Sequence, residues 1–262
     1  MKLPTRLPLL LVLLITLLPS VLRAGLSEDF ANANANLATG HADEALSQYK
    51  TLLTHPQFKT SGSAEIWYNR GLAEAKAGDS VAASLSFRRA LLLDPASRPA
   101  RTELKKVLLS LGLPVTEGWK ERTIHFMHPE TMVLFGSVIG WLGVFLLVVL
   151  IVRANRNKGL IVFSVVLIVL GHGAAILGTF ADPRRTADGM AVLTSKEAVS
   201  LRATPADSAT ASGTLDPGAL ISILSRNGAW WYVSAGTGSG VLQGWIHSNT
   251  ATPLLSSSKG SS

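Results

Sequence analysis

Two apolar runs of equal length, split by a short basic gap, constrain this chain more than any other feature. Met132 to Val152 is 21 residues without a charge, and Leu160 to Phe180 is another 21 in which His172 is the only readily ionisable group. An α-helix rises about 1.5 Å per residue, so each run makes a helix about 30 Å long, the thickness of a bilayer's hydrocarbon core. Both runs are apolar on every side, Trp141 included, which leaves no polar face for a soluble amphipathic helix. The pattern predicts a transmembrane hairpin with helices at 132–152 and 160–180 and a connecting loop at 153–159. The bulk composition agrees, with 47% hydrophobic residues against 16% charged and a positive mean hydropathy.

The loop carries Arg153, Arg156 and Lys158, and the excess of basic residues in cytoplasmic loops places it inside. The contrast with the outer flanks is modest, because Lys120, Arg122, Arg184 and Arg185 lie there. The N-terminus gives the same orientation independently. Lys2 and Arg6 precede an apolar stretch from Leu7 to Leu18, and Val21-Leu22-Arg23-Ala24-Gly25 follows. This order of basic, apolar and cleavage regions predicts a signal peptide over 1–24, with Ala24 the last residue removed. Leu22 is larger than such a site prefers, so an uncleaved anchor is the alternative. In both cases residue 25 onward is exported, and the polar segments before and after the hairpin face away from the cytoplasm. The expected protein is multi-pass, in a cytoplasmic membrane, with two extracytoplasmic domains.

Several classes are excluded early. There is no cysteine, so disulfides, thiolate catalysis and cysteine zinc sites are ruled out. The formal charge is +7, but setting aside Lys2, Arg6 and Arg23 leaves 21 bases against 17 acids. That balance is too mild for nucleic acid, and no basic stripe with interleaved aromatics is present.

Within the hairpin, Gly136, Gly140 and Gly143 stand at i, i+4, i+7, and Gly171, Ala175 and Gly178 repeat the spacing. Each set makes one stripe of small residues, the kind that lets membrane helices approach closely. An antiparallel pair turning near residue 155 sets Gly140 opposite Gly171 and Gly136 opposite Ala175. The bland alternative is that glycine is common in membrane helices. His172 is a functional candidate because it is ionisable at membrane depth; the alternative is a neutral imidazole bonded to a carbonyl.

Residues 64–95 read AEIWYNRGLAEAKAGDSVAASLSFRRALLLDP. Apolar and small residues recur with helical period in two blocks, broken at Ala77-Gly78-Asp79. Trp67, Gly71, Gly78, Ala83, Phe87, Ala90 and Pro95 stand at the signature places of a 34-residue frame. This resembles a tetratricopeptide (TPR) repeat. Arg70 and Glu74 depart from it, standing where the family usually has Leu and Tyr, and are expected to loosen the first helix. A weaker copy starts near Leu26, with Gly40, Ala45, Tyr49 and Leu52 in register. The expected domain spans 26–113, with repeats at 26–63 and 64–97 and a capping helix at 98–111. Pro99 suits that helix's first turn, Leu104, Val107, Leu108 and Leu111 its apolar face, and Gly112 and Pro114 its stop. Two repeats and a cap lie near the lower limit for such an array. TPR stacks bind peptides or protein elements on the concave face of their first helices. By that resemblance the candidate partner-binding face is Glu65, Tyr68, Leu72 and Lys76, with plain solvated surface as the alternative. Arg88, Arg89, Arg98, Arg101, Lys105 and Lys106 are expected to be solvated helix surface rather than an anion site.

Residues 114–131 form a juxtamembrane segment in which Trp119 and Phe126 fit an interfacial belt. His125, His128 and Glu130 lack the further fixed ligand that a metal centre needs, so no metal is expected.

From residue 190 to 250 the period changes. AVSLRATP, ALISILS, AWWYVSA and QGWIHS are short β-type runs split by Gly, Pro, Asp and Asn, which suggests a small closed barrel. Val199-Ser200-Leu201-Arg202 with Pro205, Asp216-Pro217-Gly218, Gly228 to Val233 and Gly244-Trp245-Ile246 make the stretch resemble a bacterial SH3-like domain. Alternation puts Trp230 and Tyr232 on one face and Trp231 and Val233 on the other. Part of the set Trp230, Trp231, Tyr232 and Trp245 must be core. The remainder is a candidate ligand face, which in such domains often meets a cell-wall peptide or a protein segment. Residues 251–262 are expected to be a disordered tail.

The expected fold class is therefore α plus small all-β, in the order signal, TPR pair, membrane hairpin, SH3-like β-barrel. That order resembles the BatE-type proteins of bacterial aerotolerance (Bat) operons. The resemblance implies a non-catalytic adaptor in the bacterial inner membrane, in an envelope stress-tolerance or assembly system. The implied partners are von Willebrand A-domain membrane proteins and a MoxR-type ATPase. The alternative is a peptidoglycan-binding accessory or sensor acting through the SH3-like domain. No convergent catalytic set accompanies either exported segment, and neither an enzyme activity nor a cofactor is expected.

Overall fold

A computed structural model of the chain describes residues 26–55, 63–115, 129–153, 157–182, 184–238 and 240–255. The signal segment 1–24, most of the juxtamembrane segment and the centre of the 153–159 loop lie outside the described residues.

Five helices open the fold: α1 over residues 26–38, α2 (Ala42–Thr54), α3 (Ala64–Lys76), α4 (Ser80–Leu93) and α5 (Arg98–Ser110). Tight turns between α1 and α2 and between α3 and α4 return each helix along its predecessor. Gly78 makes the second of these turns at φ +84°, a left-handed conformation that a Cβ disfavours. Asp79 then caps α4, its carboxylate accepting from the Ala82 amide at 2.9 Å. Ser97 caps α5 in the same way. Ala33, Leu37, Ala45, Tyr49, Leu52, Ile66 and Ala73 form one buried cluster, and Ala83, Phe87 and Val107 a second. Gly71 is required by the Phe87 ring: a Cβ there would lie 2.7 Å from Phe87 Cε1.

The two positions expected to loosen α3 instead pair with each other. Arg70 Nε donates to Glu74 Oε1 at 2.8 Å, and Ser86 Oγ of α4 donates to Glu74 Oε2 at 2.5 Å. Glu74 is buried, and burial pushes its carboxyl above the usual range while Arg70 and Ser86 pull it back.

Helices α6 (Pro129–Val152) and α7 (Lys158–Ala181) are long and apolar enough to cross a membrane. They pack on one another along their length. Trp141, Phe145, Ile151, Phe163 and Leu170 are exposed on the outside of the pair. Asn157 caps α7, its Oδ1 accepting from Gly159 and Leu160.

After a short helix α8 (Arg184–Ala187), seven strands form one antiparallel sheet: β1 (Met190–Leu193), β2 (Val199–Arg202), β3 (Ala211–Leu215), β4 (Leu220–Asn227), β5 (Trp230–Thr237), β6 (Gly240–His247) and β7 (Ala251–Pro253). Their order is β3-β2-β6-β5-β4-β1-β7. The two ends, β3 and β7, do not pair, so the sheet is open rather than the closed barrel expected. Its inner face still gathers on one core, to which Leu193, Leu201, Leu215, Ile221, Val233, Ile246 and Ala251 contribute. Residues 251–255 are not a tail. β7 pairs with β1 through Ala191–Pro253 and Leu193–Ala251, and Leu254 is buried.

Candidate functional site

Three places could meet a partner, and one seam fixes two of them relative to each other. The first is a groove of about 470 Å³ between α1, α3 and α5. Its walls are polar at Asn34, Asn69 and Glu103 and apolar at Leu37, Leu72 and Ala75. Asn34 Oδ1 accepts from the Tyr49 hydroxyl at 2.7 Å and from Asn69 Nδ2 at 2.9 Å. Burial raises the Tyr49 phenol to about 12, so it stays a donor at neutral pH. Lys76 Nζ donates to the Leu37 carbonyl at 2.9 Å, tying α3 to the end of α1. Of the four residues expected on this face, Leu72 and Lys76 line the groove. Glu65 is exposed on the first turn of α3, and Tyr68 leans on Phe87 with ring centroids 5.9 Å apart. Burial and the nearby Glu103 carboxylate raise the Tyr68 phenol. Asn34 and Asn69 escaped the sequence reading. Their only sequence signal is that Asn69 shares a turn with Tyr68.

The second place is the outer face of β5 and β6. Tyr232 stands directly opposite Trp245 with ring centroids 5.3 Å apart, and Trp230 opposite His247 at 5.4 Å. Ser225 of β4 pairs with Tyr232, and Arg202 of β2 with Trp245, which extends this row across four strands. Cross-strand pairs of this kind stabilise a sheet and present π faces outward. Trp231 is on the other side. It packs against the core beside the buried Ile246, with the Arg226 guanidinium 5.5 Å from its ring centre. The expected aromatic set therefore divides into Trp230, Tyr232 and Trp245 outside and Trp231 inside.

The third is the contact between α6 and α7. A Cβ on Gly136 would lie 2.6 Å from the Gly171 carbonyl oxygen and 2.7 Å from the Ala175 amide. One on Gly143 would lie 2.9 Å from the Ile168 amide, and Gly178 is buried as well. The His172 ring covers Gly140, sits edge-on to Trp141 at 6.2 Å, and has Nδ1 3.0 Å from the Ile168 carbonyl.

The seam joins the helical domain to the sheet. Leu85 and Leu92 of α4 pack with Ala187, Val192 and Leu254. Arg89 Nη2 donates to the Pro253 carbonyl at 2.9 Å and Nε to the Leu254 carbonyl at 3.1 Å. The Arg89 guanidinium also lies 4.7 Å from the centre of the Trp67 ring, and that of Arg70 lies 5.3 Å from it. The sheet adds the turn at Asp216 to Ala219, where Gly218 takes φ +81° against Leu111 and Leu113. Arg88 and Arg89 are thus not solvated surface, as their sequence context suggested. Burial lowers each guanidinium to about 10, and Arg70 adds to the effect on Arg89. The docking of Pro253 and Leu254, some 165 positions away, covers Arg89.

Among the described residues, no group of three or more His, Asp or Glu side chains could hold a metal ion. No family model, curated protein or solved structure matches this chain.

Proposed function

We propose that this protein is a non-catalytic adaptor, anchored by a transmembrane hairpin and presenting a TPR-like helical domain and an SH3-like domain outside the cytoplasm. The observation that carries the reading is the shared seam. Through Arg89, Leu85, Leu92 and Leu254 it holds the Asn34–Asn69 groove and the Tyr232–Trp245 face in one fixed relation. A rigid pair of recognition surfaces beside a membrane anchor suits assembly of a complex. A catalytic role would call for a nucleophile and base brought within reach of each other. The resemblance to BatE-type proteins supplies the candidate partners: von Willebrand A-domain membrane proteins and a MoxR-type ATPase system. The place of action is then the inner membrane of a bacterium, with both domains periplasmic.

The test is site-specific photocrosslinking in intact membranes. A photoreactive residue in place of Leu72, in the groove, should capture a membrane protein. The same residue in place of the exposed Lys50 should not. Equal adducts from both positions, or none from either, would remove the adaptor reading.

A second reading follows from the aromatic row alone. Three half-buried rings flanked by Arg202 and Ser225 suit an extended ligand such as a cell-wall peptide. Retention of the full chain on purified wall fragments, abolished by Trp245→Ala, would favour a peptidoglycan-binding accessory over the adaptor.

A further inference from the structure

A second pocket lies where the helical domain meets the sheet, away from the groove and the aromatic row. Its volume is about 410 Å³, toward the lower end of ligand-holding cavities. Leu92, Leu104, Leu108, Met190, Leu220 and Leu254 supply an apolar body. Arg88, Arg101 and Lys105 supply the charge, and among the described residues no Asp or Glu lines the cavity. The Arg88 Nε is buried and has no hydrogen-bond partner among the described residues. A buried guanidinium donor without an acceptor is costly, and an anionic group is its natural complement.

The pocket also has a definite place. It shares Leu92, Met190, Leu220 and Leu254 with the apolar cluster that contains Ala187, one short helix beyond the end of α7. Glu130 at the start of α6 pairs with Arg184 at the start of α8, which holds that short helix beside the hairpin's open end. A cavity with three cations and a leucine-rich wall thus stands where the hairpin meets the polar domains.

We propose that this pocket binds a single-chain anionic lipid, with the head on Arg88, Arg101 and Lys105 and the hydrocarbon against the leucines. A fatty carboxylate and an alkyl phosphate present the same chemistry. Arg88 is the anchoring residue, because it lines the cavity and carries a donor without a partner among the described residues.

The full chain, in phosphatidylcholine vesicles, would be photolysed with a 16-carbon fatty acid carrying a mid-chain diazirine, and separately with the matching alcohol. The acid should label α5 and the β1 and β4 segments about tenfold more than the alcohol does, as a charge-assisted bond at a buried site requires. Arg88→Met should erase that preference. Lys105→Gln, on an exposed position that leaves the fold intact, should reduce it several-fold. Unlabelled hexadecanoate or hexadecyl phosphate should displace the probe, the stronger competitor naming the head. Equal labelling by acid and alcohol would overturn the proposal, as would label confined to α6 and α7. So would a preference that survives both substitutions, or displacement by a water-soluble acidic peptide but by neither lipid.

Discussion

Arg89 and Leu254 lie 165 residues apart in sequence and 3.1 Å apart at guanidinium Nε and carbonyl oxygen. With the bond to Pro253, this contact fastens the last strand of the sheet to the fourth helix. Arg89→Met keeps the apolar stem beside Trp67 and removes both donors. The expected loss is about 2 kcal/mol of stability, the scale of charge-assisted bonds at a partly exposed site. Amide exchange of Ala251, Thr252 and Leu254 should accelerate together with the fall in thermal midpoint. Unchanged exchange there would mean that β7 is held by its pairing with β1 alone.

Glu74 gives the pH dependence a definite sign. Burial raises its folded pKa above the unfolded value, so the folded state holds the proton more tightly. The stability this provides is full below the unfolded carboxylate pKa and is lost as pH rises through the higher folded value. Glu74→Gln should flatten that slope in the mildly acidic range and change stability at pH 7 by less than about 1 kcal/mol. Arg70→Ala leaves the carboxylate buried with only Ser86 beside it and should cost about 3 kcal/mol at pH 7. Thermal midpoints of both variants from pH 4 to pH 8 provide the check. A steeper slope in Glu74→Gln would contradict the assignment.

What the sequence made legible were features whose partners lie close in the chain or recur with a period. Gly71, Ala83, Phe87 and Ala90 announce a helix pair because each is needed within one helical turn-and-return. Gly136, Gly140 and Gly171 announce a close helix contact because a 3.6-residue period places them on one stripe. Arg70 and Glu74 were visible as departures from a pattern. Their spacing of i, i+4 already allowed them to pair, and only the Ser86 hydroxyl had to come from elsewhere. The burial of Arg88 and Arg89 was not legible. Adjacent arginines on a helix read as surface until a sheet from the far end of the chain covers them. β7 was hidden for a related reason: three residues ending in Pro253 are too few to show alternation, and their partner β1 lies some 60 residues earlier.

In the hairpin, the two glycines of α7 nearest its midpoint should respond differently to one added methyl. A Cβ on Gly171 would press on the Gly140 backbone and come within 2.7 Å of the Gly136 carbonyl oxygen, and neither backbone can turn away. Nothing lies within 4 Å of a Cβ on Gly173. Gly171→Ala should therefore destabilise the hairpin in detergent by about 1–3 kcal/mol, the usual cost of overpacking. Gly173→Ala should leave it unchanged. Equal melting of the two variants would mean that α6 and α7 meet along a different face in solution.

The proposed orientation can be tested chemically, because the chain has no cysteine to interfere. Asn227 and Lys50 are exposed, one on the sheet and one on the helical domain, and Lys158 begins α7 beside the loop. The preference of arginine and lysine for the cytoplasmic side predicts that Asn227→Cys and Lys50→Cys react with a membrane-impermeant maleimide added to intact spheroplasts. Lys158→Cys should react only after the membrane is broken. The three sites must behave as a set, since an even number of spans puts both domains on one side and the loop on the other. Labelling of Lys158→Cys alone in intact cells would turn the molecule over and place both recognition surfaces in the cytoplasm. Labelling of only one of the two domain sites would leave the hairpin itself without two complete crossings.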